Sequence, residues 1–203
     1  MGQQTPKLAN LVGSRICHDL ISPIGAINNG MELLAMSGIG STPEMALISE
    51  SVEAANARIR FFRIAYGTES TTQSLGRGEI MSILRDMTRG SRIEVHWEPA
   101  EDLLRSEVRV AFLAIQCAEQ TVPFGGRIEL RRIGQMWEIT TTADRFMIEE
   151  DLWALLSTDA ADQPPQADIK ANQVQFLLLP EASRARGRTV SFAKTEKVLR
   201  ITA

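Results

Sequence analysis

The sequence predicts an α+β protein in which an amino-terminal helical hairpin pairs with a second copy as a dimeric four-helix bundle and an α/β sandwich follows. Three observations carry this. The first 70 or so residues hold two long runs of helical period and no convincing strand. A polar stretch, Thr68 to Gly78 (T-E-S-T-T-Q-S-L-G-R-G), then separates them from the rest. Beyond it, strand-like and helix-like segments alternate. The domains expected are 1–70, a hairpin for dimerisation and chemistry, and 78–203, the sandwich.

Leu8 to Met36 reads as one helix, with Val12, Ile16, Leu20, Ile24, Ile27, Met31 and Leu34 spaced by three or four. Gly38 and Gly40 end it. Thr42-Pro43-Glu44 restarts the chain as N-cap, first-turn proline and first-turn acid. The second helix carries Met45, Ile48, Val52, Ala55, Ile59, Phe62 and Tyr66, a strict three-four alternation that marks a bundle seam. A hairpin of two such helices cannot cover both of its apolar stripes, so Val52, Ala55, Ile59 and Phe62 are expected at a seam shared with a second chain.

In the second half, helices are predicted over Glu79–Arg89, Leu103–Thr121, Glu149–Ser157 and Asp168–Arg186. Arg92–Trp97 reads as a strand. Arg127–Arg132 and Met136–Thr141 form a hairpin through Gly134, and Thr189–Lys194 with Lys197–Thr202 form a second. Gly125-Gly126 reads as a turn into a strand rather than a phosphate loop. The stretch from Asp159 to Asp168 with Pro164-Pro165 reads as a mobile loop.

Composition narrows the function. The 203 residues are 44% hydrophobic and 23% charged, as in an ordinary globular protein. A net charge of −3 offers no basic surface for nucleic acid. No apolar run approaches the ~20 residues of a membrane span, and Met1–Lys7 is short and polar, unlike a signal peptide. No partnership with nucleic acid or membrane is therefore expected, and the location expected is cytoplasmic. Cys17 and Cys117 form neither a metal spacing nor a disulfide framework. His96, within E-V-H-W-E, reads as decoration on a strand. The cluster Arg184, Arg186 and Arg188 reads as compensation of a helix dipole and as solubility.

His18 stands apart. At about 100° per residue it falls roughly 165–170° from the centre of the Ile16–Leu34 stripe and points out of the core. Leu11, Ser22, Gly25 and Asn29 share that outward face, and Asp19 lies on its flank. An isolated helical histidine is in most chains an ordinary surface residue. Here, however, the strip beside it is small and uncharged, where a solvated helix carries Lys and Glu; such a strip marks a contact surface.

The run His18-Asp19-Leu20-Ile21-Ser22-Pro23-Ile24 resembles the H-box of histidine-kinase dimerisation domains. Extended over Arg15 to Leu34 (R-I-C-H-D-L-I-S-P-I-G-A-I-N-N-G-M-E-L-L), it is similar to the ChpT-type histidine phosphotransferases. The hairpin and the α/β domain match that family over essentially the whole chain. The resemblance implies that His18 is the phosphoacceptor of a two-component phosphorelay. Asp19 would orient its imidazole, and Leu11, Arg15, Ser22, Gly25 and Asn29 would bind the receiver. Partners would be response-regulator receiver domains, an upstream hybrid histidine kinase and a second copy of the chain. The chemistry suits the residue: a neutral imidazole is a good nucleophile near neutral pH, and phosphoryl transfer asks mainly for positioning and charge neutralisation. No cofactor of its own is expected, Mg²⁺ being supplied by the receiver. Pro23 would kink the helix beside the histidine.

By the same resemblance the second half is a degenerate ATPase domain of the GHKL type found in histidine kinases. Ala118–Leu130 resembles the end of the N-box helix and its following strand. Where asparagines should face Mg²⁺ and nucleotide, the chain has Leu113 and Cys117, neither a hard oxygen ligand. The adenine-binding box reads Thr142-Ala143-Asp144-Arg145-Phe146, without its acid and its two glycines. The lid, Ala171–Phe176, has no glycine. The expectation is a platform that neither binds nor hydrolyses ATP. The alternatives are a sensor-kinase core that phosphorylates itself from ATP, and a bundle scaffold that binds receivers without chemistry.

Overall fold

The structure, a computed structural model, describes residues 4–36, 42–67, 72–157 and 169–203. In the first helix the side chains of residues 4–12, 14–15, 18–19 and 23 are outside that description. The glycines proposed to end that helix and the whole 159–168 loop also lie outside the described residues.

The chain forms two compact units, a helical one of residues 1–69 with 82–89 and a mixed one of residues 70–81 with 90–203. In the helical unit, α1 (Gln4–Met36) runs unbroken through Pro23. Helix α2 (Pro43–Ala65) begins as its sequence predicts: the Met45 N–H donates to Thr42 Oγ1 at 3.3 Å, proline occupies the first turn, and Glu44 complements the helix dipole. Gly13 near the start of α1 meets the end of α2, so the helices run antiparallel. A Cβ at Gly13 would stand 2.9 Å from the Tyr66 carbonyl oxygen, which is why the close approach needs glycine.

The hairpin departs from expectation in which apolar residues remain bare. Val52 and Ile59 are buried within one chain, while Ile16, Leu20, Ile27 and Leu34 of α1, with Leu47 and Ile48 of α2, stay exposed. The row of α1 that turns inward is Gly13, Cys17, Ile24, Asn28 and Met31. The reason is geometric. A helix covered by one neighbour buries one strip, and the exposed row lies about 70° around the cylinder from it.

The mixed unit opens with a two-residue strand inside the polar stretch that read as a linker. Here β1 (Ser74–Leu75) pairs antiparallel with β3 (Leu103–Leu104), and α3 (Arg77–Thr88) starts before that stretch ends. The five-stranded sheet has the order β2-β4-β5-β7-β6, where β2 is Ile93–Trp97, β4 Gly126–Ile133, β5 Met136–Thr142, β6 Ser191–Lys194 and β7 Val198–Thr202. Only the β2–β4 pairing is parallel; the others are antiparallel. Alternation puts Ile128 and Leu130, Trp137 and Ile139, and Leu199 and Ile201 on one buried face, in register across three strands. That face packs under α4 (Arg105–Glu119), which itself lies against α6 (Gln175–Arg184). The long predicted last helix is shorter than expected: a 3-10 turn over Ala171–Gln173 precedes α6. Helix α5 spans Glu150–Ala154 and brings Trp153 against Phe176 and Phe192, with ring centroids 5.5 and 5.0 Å away.

Gly125 and Gly126 form the turn into β4. Gly125 has φ +108°, and a Cβ there would lie 2.6 Å from the Arg92 carbonyl oxygen, so only glycine fits.

Candidate functional site

Helix α1 carries the predicted site. Positions 11, 15, 18, 22, 25 and 29 are within about 60° of one direction on the helix. The structure describes side-chain surroundings for Ser22, Gly25 and Asn29. Ser22 and Asn29 are exposed, and a Cβ built on Gly25 meets nothing within 4 Å. Those of Leu11, Arg15, His18 and Asp19 lie outside the described residues, so these positions are placed by helical register alone. In that register, residue 18 is roughly 115° from the inward row and roughly 175° from the bare apolar row.

On the α2 side of this face lies a groove of about 780 Å³, reached by Ile21, Asn28 and Glu32 of α1. Ion pairs line it: Arg60 to Asp86 at 2.7 Å, and Arg89 to Glu53. Asn28 Nδ2 donates to Glu32 Oε1 at 2.9 Å. Cys17, one residue before the histidine, is buried, and burial pushes its thiol above the ordinary value against the lowering charge of Arg63.

Of the positions that resemble a nucleotide site, those on α4 and at the end of the lid segment are filled with packing, while the stretch at Thr142–Arg145 borders an open groove. Leu113 and Cys117 are wholly buried in α4. Desolvation raises the Cys117 thiol well above its usual value. In the lid segment, Phe176 is wholly buried in the Trp153–Phe192 aromatic cluster, and Gln173 is buried with its Nε2 3.4 Å from Glu149 Oε2. Thr142 is exposed at the end of β5. Among the described residues, no group of three or more His, Cys, Asp or Glu could hold a metal ion, and no helix is long and apolar enough to cross a membrane.

His96 is exposed on β2, 3.5 Å from Glu94, as a strand decoration would be. The arginine cluster is corrected. Arg186 and Arg188 are not solubility groups; both close on Glu107, which is 3% exposed in the first turn of α4. Arg188 grips it with two hydrogen bonds at 2.7 and 2.9 Å, Trp137 Nε1 donates at 3.1 Å, and Arg186 also donates to Ser106 Oγ at 2.7 Å. Burial raises the Glu107 carboxyl, but the Arg188 hydrogen bond and the charges of Arg188, Arg186 and Arg132 outweigh it and hold it below the ordinary glutamate value. The signal in sequence was an acid inside an otherwise buried helix.

Known proteins bear on this arrangement. Residues 77–198 match the family described as histidine phosphotransferase C-terminal domain. Protein phosphotransferase ChpT of Brucella abortus (strain 2308) is 35% identical over 182 residues, covering 86% of this chain and 85% of that protein. A solved structure described as a bacterial phosphotransferase covers 100% of this chain and 97% of its own at 28% identity, with a TM-score of 0.70. The chain therefore belongs to the histidine phosphotransferase family and is a phosphotransferase of a two-component phosphorelay.

Proposed function

We propose that His18 carries the phosphoryl group, on a two-chain bundle whose outer face admits one receiver domain at a time. The observation that carries this reading is the placement of the bare apolar row. Ile16, Leu20, Ile27 and Leu34 cover about 27 Å of helix at 1.5 Å per residue, and exposed apolar rows of that length call for a partner. A second copy of the hairpin has the matching row, which makes the pairing self-complementary. With α2 on one strip and the second chain on the other, helical register turns position 18 away from both.

In this reading an imidazole nitrogen attacks the phosphorus of a phospho-aspartate on one receiver, and the aspartate leaves as a carboxylate. A second receiver aspartate then takes the phosphoryl group, and the neutral imidazole returns. Asp19 holds the ring, and Arg15 adds charge near the moving phosphoryl group. The small residues Ser22 and Gly25 let a receiver helix come close enough for in-line transfer. The donor receiver belongs to a hybrid kinase, the acceptor to a response regulator, and each brings its own Mg²⁺. ATP is neither bound nor hydrolysed, a reading supported by the wholly buried Leu113, Cys117 and Phe176. The reading is of a cytoplasmic protein.

The test is transfer from purified radiolabelled phospho-receivers. Acid-labile, base-stable label should appear on the wild type and be absent from His18→Ala, with fold and dimer unchanged. Labelling of His18→Ala at normal yield would place the phosphoryl group elsewhere.

A further inference from the structure

A second groove, of about 580 Å³, crosses one end of the sheet in the mixed unit. Arg92 before β2, Gly126 at the start of β4, Thr142 at the end of β5 and Lys197 before β7 mark its length. Three inter-strand spacings make that about 14 Å, the reach of roughly four extended residues.

Its charge is unbalanced. Arg92, Arg127, Arg145 and Lys197 face two carboxylates, Glu94 and Asp144, in a chain whose net charge is −3. Arg127 pairs with Glu129 at 2.8 Å, and Lys197 reaches Asp144 only at 3.9 Å. Among the described residues neither Arg92 nor Arg145 has an ion pair. Arg145 lies instead over the ring of Phe124, 5.3 Å from its centroid, which holds its guanidinium at the groove. Phe124 is 56% exposed.

Two features separate the candidate occupants. An exposed aromatic beside arginines, with glycines and an alanine between and a charged rim, is the composition of protein interfaces. A compact phosphate site would use free backbone N–H groups, but here they are engaged: Gly125 donates to Val122 and Gly126 to Arg92. We propose that this groove binds an extended acidic polypeptide segment, its carboxylates on Arg92 and Arg145 and one apolar side chain on Phe124. The site is independent of the His18 face, and its occupation does not require phosphoryl transfer.

The probe is a fluorescein-labelled hexapeptide of five acidic residues around one leucine, read by anisotropy against the full chain. Saturable binding is expected at low salt. It should weaken at least about tenfold in the Arg92→Glu, Arg145→Glu double variant, since like charges then oppose the peptide. It should weaken several-fold in Phe124→Ala, and again when salt is raised from about 50 to about 200 mM. All three side chains are exposed, so melting should not change; if the double variant does lose its fold, Arg92→Glu and Phe124→Ala alone carry the test. No saturation up to about 1 mM peptide, a weak-binding limit, overturns the proposal. So does wild-type binding by the variants, or equal binding of a basic hexapeptide. If citrate displaces the probe as well as unlabelled peptide does and Phe124→Ala has no effect, the groove is a small-anion site and the proposal is wrong.

Discussion

Replacing Gly25 with arginine separates the docking face from the stability of the fold. Gly25 sits inside α1, and a Cβ built there meets no atom within 4 Å. Glycine in a helix interior costs about 1 kcal/mol against alanine, and arginine recovers most of that. The free protein should therefore melt no lower, and up to about 1 kcal/mol more stable. On the proposed docking face the same side chain would occupy space that a receiver helix needs, between the exposed Ser22 and Asn29. Slowing transfer at least tenfold corresponds to about 1.4 kcal/mol in the transition state, a small demand on a side chain of that length. The assay is rapid-quench transfer from the phosphorylated chain to a purified receiver. Slow self-hydrolysis of the phosphohistidine, which needs no partner, is the internal control and should not change. Gly25→Ala should gain the helix stability yet transfer normally. Transfer by Gly25→Arg at the wild-type rate would show that the receiver does not use this face.

Other outcomes follow from the packing. Glu107→Ala leaves the buried Arg188 and the half-buried Arg186 without their carboxylate, and urea unfolding should show a loss of about 3–5 kcal/mol. Because the folded carboxyl titrates below its ordinary value, its contribution is complete above the unfolded glutamate pKa and is lost as pH falls through the folded one; Glu107→Gln should flatten that part of the acid unfolding profile, and an unchanged profile would remove Glu107 as its source. Ile27→Glu with Leu34→Glu puts charge in the bare apolar row and should leave monomers by light scattering with helicity kept; a wild-type monomer at micromolar concentration would defeat the bundle. Incubation with radiolabelled ATP and Mg²⁺ should give neither hydrolysis nor label on the chain, and labelling from ATP would restore the kinase-core reading.

The sequence made the local features legible where one rule governs them. Thr42-Pro43-Glu44 announced the start of α2 because a cap needs only its own neighbours, and both β-hairpins were readable from alternation around Gly134 and before Val198. The strand at Ser74–Leu75 was not, because two residues carry no periodicity and its partner lies near residue 103. Periodicity found the apolar rows of the hairpin but not which row the chain itself covers; that depends on where α2 packs against α1, as at the close contact of Gly13 with Tyr66. His18 was visible through the motif around it and its helical register. The Glu107 network was hidden because its members are about 80 residues apart and only the fold joins them. The basic groove was missed for the same reason, four strand ends supplying its residues from four places in the chain.

The burial of both sulfurs has a practical and a biological side. A thiol reacts as its thiolate, and burial holds Cys17 and Cys117 protonated and shielded at neutral pH. Peroxide and alkylating reagents then find little to attack, although one of the two sulfurs adjoins the histidine proposed to carry the phosphoryl group. A cysteine introduced at the exposed Asn29 or Ser22 would then take a spin or dye label without first removing the native pair.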